Sequence, residues 1–245
     1  MSFPTPSPIK NELLTALPSE VLSRLLPHLR PVSLLTRDTL IWPDSPIGAV
    51  WFMESGWASL VMKLDNGAQA EVGLIGREGM VGLPLVVGID TAFAQVLVQA
   101  KGAALQMDAG AFRQAMEAEP ALRERMFRYQ EAMTAQIMQT AVCNAHHELD
   151  QRLARWLLMA HDRAEGGVLE MTQEFLAVTL TVRRAGVSTA AGLLQSAGMI
   201  RYLRGRITVL NRAALEARAC DCYRAVKQRF ERLLGPAVAP PLNPE

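Results

Sequence analysis

The sequence holds few residues of several types, and each shortage excludes a class of protein. Only three of its 245 residues are cysteine, which excludes a disulfide-rich secreted scaffold. No apolar run reaches the roughly 18 residues that a membrane-spanning helix needs, and the opening MSFPTPSPIKNELL lacks the apolar centre of a signal peptide. We therefore expect a cytoplasmic protein that makes no membrane contact. The hydrophobic content, 50%, is sufficient for a folded core.

Net charge is also small, at +1, but it is unevenly distributed. Residues 150–234 carry 14 Lys and Arg against 8 Asp and Glu, a balance of +6, whereas the rest of the chain carries −5. A basic segment joined to an acidic one is a weak indication of a polyanionic partner such as nucleic acid. The alternative is an ordinary solvated basic surface.

Histidine is absent between residues 29 and 145. A cupin-type metalloenzyme needs several histidines on its barrel strands, so the shortage argues against that class. The sequence also contains no nucleophile elbow, phosphate-binding loop or His-Glu-x-x-His helix. We expect a protein that is not an enzyme.

Short apolar runs alternate with turn residues from about residue 32 to 110, after a leucine pattern that predicts a short N-terminal helix. The runs AVWFMESGWASLVMKL and AQVLVQAKGAALQM are separated by glycines and by the pair Asn66-Gly67. That pair predicts a hairpin with a type I′ turn, because both residues tolerate a positive φ. Many short strands with glycine turns indicate a small β-barrel or roll.

A helical period begins after about residue 110 and continues for some fifty residues. Pro120 can open a helix, since a first-turn proline gives up no needed hydrogen bond. Four apolar side chains follow one face and can pack either in the core of the chain or against a second copy. We expect a homodimer in which this stripe forms the dimer contact: Leu122, Met126, Met133 and Ile137.

The basic segment predicts two short helices, a tight turn between them and a hairpin. Thr172 can cap the first helix, and the second begins near Arg183 after a turn at Thr181. Gly198 ends the second helix, and a hairpin turning at Gly205 follows. This order is that of a winged helix-turn-helix, whose second helix enters the DNA major groove. A helical pair with an ordinary surface hairpin is the alternative.

The sequence contains four informative stretches: VWFMESGWASLV, TQEFLAVTL, LLQSAGMIRYLRGRITVLN and EARACDCYR. They resemble the Crp/Fnr superfamily of bacterial transcription regulators, as does the order of the parts from about residue 12 to 225. The resemblance implies an α+β fold with double-stranded DNA and a second copy as partners, and RNA polymerase as a candidate partner. The implied divisions are a β-roll sensor similar to the cyclic-nucleotide-binding jelly roll (1–118), a dimerisation helix (119–147), a winged helix-turn-helix domain (148–234) and a flexible tail (235–245).

The resemblance also assigns DNA contacts to particular residues. Arg184 is the strongest candidate for reading a base, because arginine donates two parallel hydrogen bonds to guanine. The other candidates contact phosphates or bases from the second helix and from the wing: Arg183, Ser188 and Thr189, then Arg201, Arg204 and Arg206. Ala185 and Gly186 depart from the family pattern, since many members have an acidic residue at the first position. A sensory or scaffold protein that acts through protein contacts therefore stays open as the alternative function.

The cyclic-AMP contacts of the family do not match this sequence. Ala92 and Phe93 stand where an arginine and a serine or threonine would hold the cyclic phosphate, and the ribose glutamate falls near Leu83. Arg77 and Glu78 lie too early for those roles. We predict no binding of cyclic AMP and leave the effector unidentified. An effector is expected to act at residues 73–88 and the adjoining end of the long helix.

The cysteines and two adjacent histidines are the remaining candidates. The first 142 residues contain no cysteine, which excludes the N-terminal iron–sulfur cluster of the oxygen-responsive branch. Cys220 and Cys222 are too few for a zinc site by themselves. Cys143 is either a dimer cross-link or an inert buried thiol, and His146 and His147 are either a ligand pair, a pH switch or a solvated helix end. We expect no cofactor and no bound metal.

Overall fold

The glycine-punctuated segment forms an antiparallel roll in the computed structural model, which describes residues 9–235. Its strands run in the order β1-β6-β3-β4, with β2 paired to β6 and β5 paired to β3. The two longest strands, β3 and β6, pair along most of their length, and three register shifts bend them around the core. The strands are β1 (Arg30–Leu34), β2 (Thr39–Ile41), β3 (Ala49–Lys63), β4 (Gln69–Ile75), β5 (Met80–Val81) and β6 (Gln95–Asp108).

The hairpin predicted at Asn66-Gly67 joins β3 to β4, but its turn type is not the predicted one. Gly67 has a φ of 82°, whereas Asn66 is not among the residues with a positive φ. The Asn66 side chain instead accepts a hydrogen bond from the Ala68 N–H at 2.9 Å. The prediction of a hairpin is confirmed and that of a type I′ turn is wrong, because the asparagine side chain closes the turn.

Short helices precede and follow the roll, and a long helix crosses it. They are α1 (Glu12–Thr15), α2 (Ser19–Leu25), 3-10 helices at Leu26–His28 and Leu83–Val87, α3 (Ala109–Ala118) and α4 (Pro120–His146). The long helix lies against the roll through Tyr129, which is fully buried and donates a hydrogen bond to the Met80 carbonyl at 3.3 Å. A Cβ at Gly79 would lie 2.1 Å from the Tyr129 hydroxyl, so only glycine fits beneath this ring.

The basic segment forms a helical domain with a three-stranded sheet, as an α+β fold with a winged helix-turn-helix requires. The sheet has the order β7-β9-β8. Thr172 caps α6 by accepting a hydrogen bond from the Phe175 N–H, as predicted. The elements are α5 (Leu149–His161), β7 (Val168–Glu170), α6 (Gln173–Thr179), α7 (Arg184–Ser196), β8 (Ile200–Leu203), β9 (Arg206–Val209), α8 (Arg212–Arg218) and α9 (Cys222–Leu234).

The last helix, α9, returns along the long helix α4 in the opposite direction. Near its start Cys222 contacts Gln139, and further along Arg229 pairs with Glu131. Its end reaches the roll, where Phe230 and Leu234 pack against the core. Across residues 9–235, no helix is both long and apolar enough to cross a membrane. Apart from Gly235, the tail predicted at 235–245 lies outside the described residues.

Candidate nucleic-acid interface and sensor sites

Helix α7 has one buried face and one free face. Its apolar side chains at Val187, Ala190, Ala191 and Leu194 are buried in the domain core. The opposite face is exposed and carries each candidate DNA contact that the sequence placed on this helix: Arg183, Arg184, Ser188 and Thr189. Arg183 is the residue that precedes the first turn, so these side chains project from the start of the helix. This is the part of a recognition helix that meets base edges.

Arg184 is held by two partners on α6. Its Nε lies 2.9 Å from Glu174 Oε1 and donates to Gln173 Oε1 at 3.2 Å. Ser188 donates to the same Gln173 oxygen at 2.9 Å. A carboxylate therefore lies beside Arg184 although Ala185 carries none. The sequence reasoning missed Glu174 because it considered only the neighbouring position.

Two departures from the family pattern have local explanations. Gly186 lies where α7 crosses α5, and a Cβ there would come within 3.0 Å of Leu149 Cδ2. Thr181, at the turn between α6 and α7 where the resemblance predicts a glycine in many members, has a φ of 57°. A β-branched residue is strained in this left-handed region, by about 1–2 kcal/mol. The turn geometry is thus kept despite the threonine.

The wing is a tight hairpin with arginines on its surface. Arg204 and Gly205 have φ values of 50° and 76°, as a type I′ turn requires at both central residues. The strand register pairs Arg201 with Thr208 and Leu203 with Arg206, so Arg201 and Arg206 share one face of the hairpin. All three arginines are exposed and available to phosphates.

The residues predicted to form a dimer contact pack instead against the roll of their own chain. Leu122, Met126 and Met133 are at most 1% exposed, because they pack into the core of their own roll. Ile137 is half-buried and lies beside Gly73 of β4. The sequence allowed this apolar stripe to pack either in the core of the chain or against a second copy, and in the structure it packs in the core. Almost no surface of the first three side chains is left for a second copy.

A buried carboxylate joins the roll to the DNA-binding domain. Glu71 of β4 is 5% exposed, and each of its oxygens accepts one hydrogen bond at 2.5 Å, from Ser59 Oγ and from Trp156 Nε1 of α5. Burial raises the pKa of Glu71 to about 7, against the two hydrogen bonds and the charges of Arg155 and Arg163. The carboxyl therefore changes charge near neutral pH within a contact between domains.

A second contact fastens the glycine-rich loop to the same domain. Arg163, which follows α5, donates to Glu78 Oε1 from Nε at 2.9 Å and from Nη2 at 2.6 Å. Both side chains are mostly buried, 9% and 16% exposed. Arg77, the other charged residue of this loop, pairs with Glu12 at 3.1 Å. These contacts place the loop residues 76–79 between the sensor and the DNA-binding domain.

The positions at which the resemblance predicts the cyclic-AMP contacts carry apolar side chains. Leu83 opens a 3-10 helix, Ala92 is buried and Phe93 is 81% exposed. A buried phosphate needs a cation and several donors, none of which these three side chains supply.

The structure brings the three cysteines and one histidine together. Cys143 and His147, at the end of α4, meet Cys220 and Cys222, where α8 passes into α9. The ligand atoms of the four side chains all lie within 4.8 Å of one another. A thiol hydrogen bond of 3.5 Å with Cys220 lowers the pKa of Cys143 to about 5 and raises that of Cys220, and burial raises the pKa of Cys222. His146 is exposed and is not part of this cluster.

The sequence reasoning missed this cluster because it counted ligands that are close along the chain. Cys143 and Cys220 are 77 residues apart. A signal was nevertheless present: Cys143 and His147 have the i, i+4 spacing that puts two side chains on one face of a helix.

Comparisons with known proteins agree with this architecture. The family model of the cyclic nucleotide-binding domain matches residues 31–119, and that of the Crp-like helix-turn-helix domain matches residues 151–218. Together they match well over half of the chain. A comparison with curated protein sequences finds no relative.

Solved structures with the same fold include several that are distant in sequence. FixK2 from Bradyrhizobium japonicum has a TM-score of 0.68 at 15% identity, over 78% of this chain and 98% of its own. The c-di-GMP responsive regulator CLP from Xanthomonas campestris has a TM-score of 0.63 at 16% identity, over 78% of this chain and 99% of its own. A CRP-family transcriptional regulator from Thermus thermophilus gives 0.64 at 18%, over 77% and 96%. With both domain models matched in order and the fold shared, the chain belongs to the Crp/Fnr superfamily of transcription regulators.

Proposed function

We propose that this protein is a homodimeric, sequence-specific DNA-binding transcription regulator that acts in the cytoplasm on a pseudo-palindromic operator. One observation carries the proposal: the exposed face of α7 presents Arg183, Arg184, Ser188 and Thr189 in consecutive turns while its other face is buried. Arg184 reads guanine with its two parallel donors, an interaction that discriminates by about 1–3 kcal/mol. The wing arginines donate hydrogen bonds to phosphates on either side of the groove.

The dimer contact is proposed on the face of α4 opposite to the roll. Exposed residues recur there at alternating spacings of four and three: Phe127, Glu131, Thr134, Met138, Ala141 and Ala145. This is the a/d spacing of a two-stranded coiled coil. The apolar side chains of Phe127, Met138 and the adjoining Val142 are 48%, 57% and 50% exposed. A parallel second copy would bury this stripe and place the two recognition helices about one turn of DNA apart.

The sensor is proposed to respond to an effector other than cyclic AMP, because Leu83, Ala92 and Phe93 offer the phosphate no partner. A narrow cavity of about 20 Å³, enough for one water molecule, lies where β4, α4 and α5 meet, and Gly73, Thr140 and Arg152 are among its lining residues. An effector that changes the packing at this junction would change how the DNA-binding domain lies on the roll. Isothermal titration with cyclic AMP is expected to give no heat of binding at micromolar concentrations. RNA polymerase is proposed as a partner where an operator lies beside a promoter.

The decisive experiment selects an operator from random duplex DNA and then compares variants on it. Arg184→Ala is expected to relax the base preference at one position of each half-site, with a loss of roughly tenfold or more, since one guanine contact is removed. Arg113→Ala, which removes an exposed arginine of α3, is the matched control and should bind as the parent does. Equal binding by Arg184→Ala and the parent contradicts the base-reading assignment.

Salt dependence separates this function from a scaffold role. Phosphate contacts predict that affinity for random duplex DNA falls steeply between low and moderate salt, because each contact releases a counterion. Binding that is absent, or that does not change with salt, favours a protein that acts through protein contacts instead.

A further inference from the structure

All three cysteines of the chain converge with one histidine at the junction between the long helix and the DNA-binding domain. Cys143, Cys220 and Cys222 are at most 6% exposed, and His147 is half-buried at the edge. A chain with three cysteines, spread over 80 residues, has no packing requirement to bring them together. The convergence therefore needs a chemical explanation.

We propose that Cys143, His147, Cys220 and Cys222 form a closed tetrahedral site for one Zn²⁺ ion, which binds through three thiolates and Nδ1 of the imidazole. With Zn–S near 2.3 Å and Zn–N near 2.0 Å, a tetrahedron places two sulfurs ~3.8 Å apart and a sulfur and a nitrogen ~3.5 Å apart. The observed separations are 3.5 Å between Cys143 Sγ and Cys220 Sγ, and 3.5 Å between Cys222 Sγ and His147 Nδ1.

The donor set favours zinc over other ions. Three soft sulfur ligands exclude Mg²⁺ and Ca²⁺, which take oxygen. A cluster of several iron atoms spreads its thiolates further apart, because different irons hold them, whereas here all four ligand atoms lie within 4.8 Å. Four protein ligands fill the tetrahedron and leave no open position for a substrate, so the site is structural or regulatory and not catalytic.

Neighbouring groups orient the ligands. Asp221 Oδ1 lies 3.6 Å from His147 Nε2 and 3.9 Å from Cys222 Sγ. A small approach of this carboxylate to Nε2 would let it accept the Nε2 proton and leave Nδ1 free for the metal, as in carboxylate–histidine–zinc arrangements. Gln139 Nε2 donates to Cys222 Sγ at 3.1 Å. Arg152 and Arg155 interact electrostatically with the sulfurs and offset the net charge of −1 that Zn²⁺ and three thiolates would carry.

The site would join parts of the chain that are far apart in sequence. Cys143 and His147 lie at the end of the long helix α4, whereas Cys220 and Cys222 lie where α8 passes into α9. Zinc would thus fix the last turn of the long helix to the DNA-binding domain at the point where the chain passes between them. Each thiol that is protonated beforehand loses its proton to solvent as its sulfur binds. The site stands independently of the proposed function, but an effect of zinc on DNA binding rests on it.

The test uses Co²⁺ as a spectroscopic substitute in the reduced, full-length protein. One equivalent per chain is expected to give sulfur-to-cobalt charge-transfer absorption and the intense visible bands of tetrahedral cobalt, and Zn²⁺ should displace it. His147→Ala is expected to weaken Zn²⁺ binding at least tenfold, measured by competition with a chromophoric chelator. His146→Ala is the matched control, since that neighbour is exposed and outside the cluster. Asp221→Asn should weaken binding by about 10–100-fold.

Three results would overturn the zinc site: no stoichiometric Co²⁺ spectrum from the parent, an octahedral spectrum, or equal losses for His146→Ala and His147→Ala. A disulfide between Cys143 and Cys220 in protein purified without reductant, together with no zinc, would assign the cluster to thiol chemistry instead. The first two results do not depend on a variant's ability to fold, because the parent spectrum alone can refute the site.

Operator binding with and without zinc tests the coupling separately. Chelation is expected to lower operator affinity by about fivefold or more, the lower range of coupling between two sites. A cobalt spectrum as expected with unchanged operator affinity upholds the site and overturns the coupling. The same spectrum in a protein that binds no DNA at any salt concentration upholds the site and overturns the proposed function.

Discussion

Replacement of Glu71 by glutamine is expected to stabilise the protein above pH 7 and to change little near pH 4. Burial raises the pKa of this carboxyl from an ordinary 4.5 to about 7. The difference of about 2.5, at about 1.4 kcal/mol for each pKa unit, corresponds to about 3 kcal/mol. The charges of Arg155 and Arg163 favour the ionised form and already lower this pKa, so the figure of about 3 kcal/mol is net of their attraction.

The sign follows from proton binding. Because the folded-state pKa lies above the unfolded value, the folded protein holds more protons between pH 4.5 and pH 7. The contribution of Glu71 to stability is complete below pH 4.5 and is lost as the pH rises to about 7. Glutamine has no charge at any pH and keeps both hydrogen bonds, since its oxygen accepts from Trp156 and its amide donates to the Ser59 hydroxyl.

Urea unfolding between pH 5 and pH 8.5 measures the effect, with tryptophan fluorescence as the signal because Trp57 and Trp156 are buried at the domain junction. The gap in unfolding free energy between Glu71→Gln and the parent should widen with pH. Glu71→Ala, which loses both hydrogen bonds, should be less stable than the glutamine variant throughout. A gap that stays constant from pH 5 to pH 8 would refute the ionisation of a buried Glu71.

Three further substitutions test the domain contacts and the dimer. Arg163→Met leaves Glu78 without its partner in a mostly buried place and should lower the unfolding free energy in urea by about 3–5 kcal/mol. Gly79→Ala should lower it by about 1–3 kcal/mol, because its Cβ would clash with a buried ring, whereas Gly48→Ala, with no atom within 4 Å of its Cβ, should not. Met138→Arg places a charge in the proposed dimer stripe and should shift sedimentation toward the monomer; an unchanged dimer would rule out that stripe.

Local signals in the sequence were enough to predict the winged helix-turn-helix. Thr172 marks a helix start with its side chain, Gly198 ends the recognition helix with a φ of 70°, and Gly205 turns the wing with a φ of 76°. Each of these is a property of one residue and its neighbours. Such signals do not depend on the remainder of the fold.

Partners that are distant along the chain could not be predicted in the same way. The apolar pattern of Leu122, Met126 and Met133 shows that one helix face is buried, but not whether the roll or a second copy covers it. Glu71 stands in a strand like any polar residue, and only the packing of α5 against β4 buries it. The polar contacts between the two domains therefore required the structure.

The return of α9 along α4 has a consequence for the DNA that this protein can recognise. Each recognition helix belongs to a domain that is attached to the long helix twice, through the direct link into α5 and through the ion pair of Arg229 with Glu131. In the proposed dimer the gap between the two reading surfaces is therefore fixed by rigid parts and not by a flexible linker. One base pair inserted between the half-sites would shift them by ~3.4 Å and rotate them by ~35°. In that proposed dimer the pair of domains would measure a set distance along the duplex, and the length of the operator's central spacer would be as much a part of its recognition as the bases proposed for Arg184.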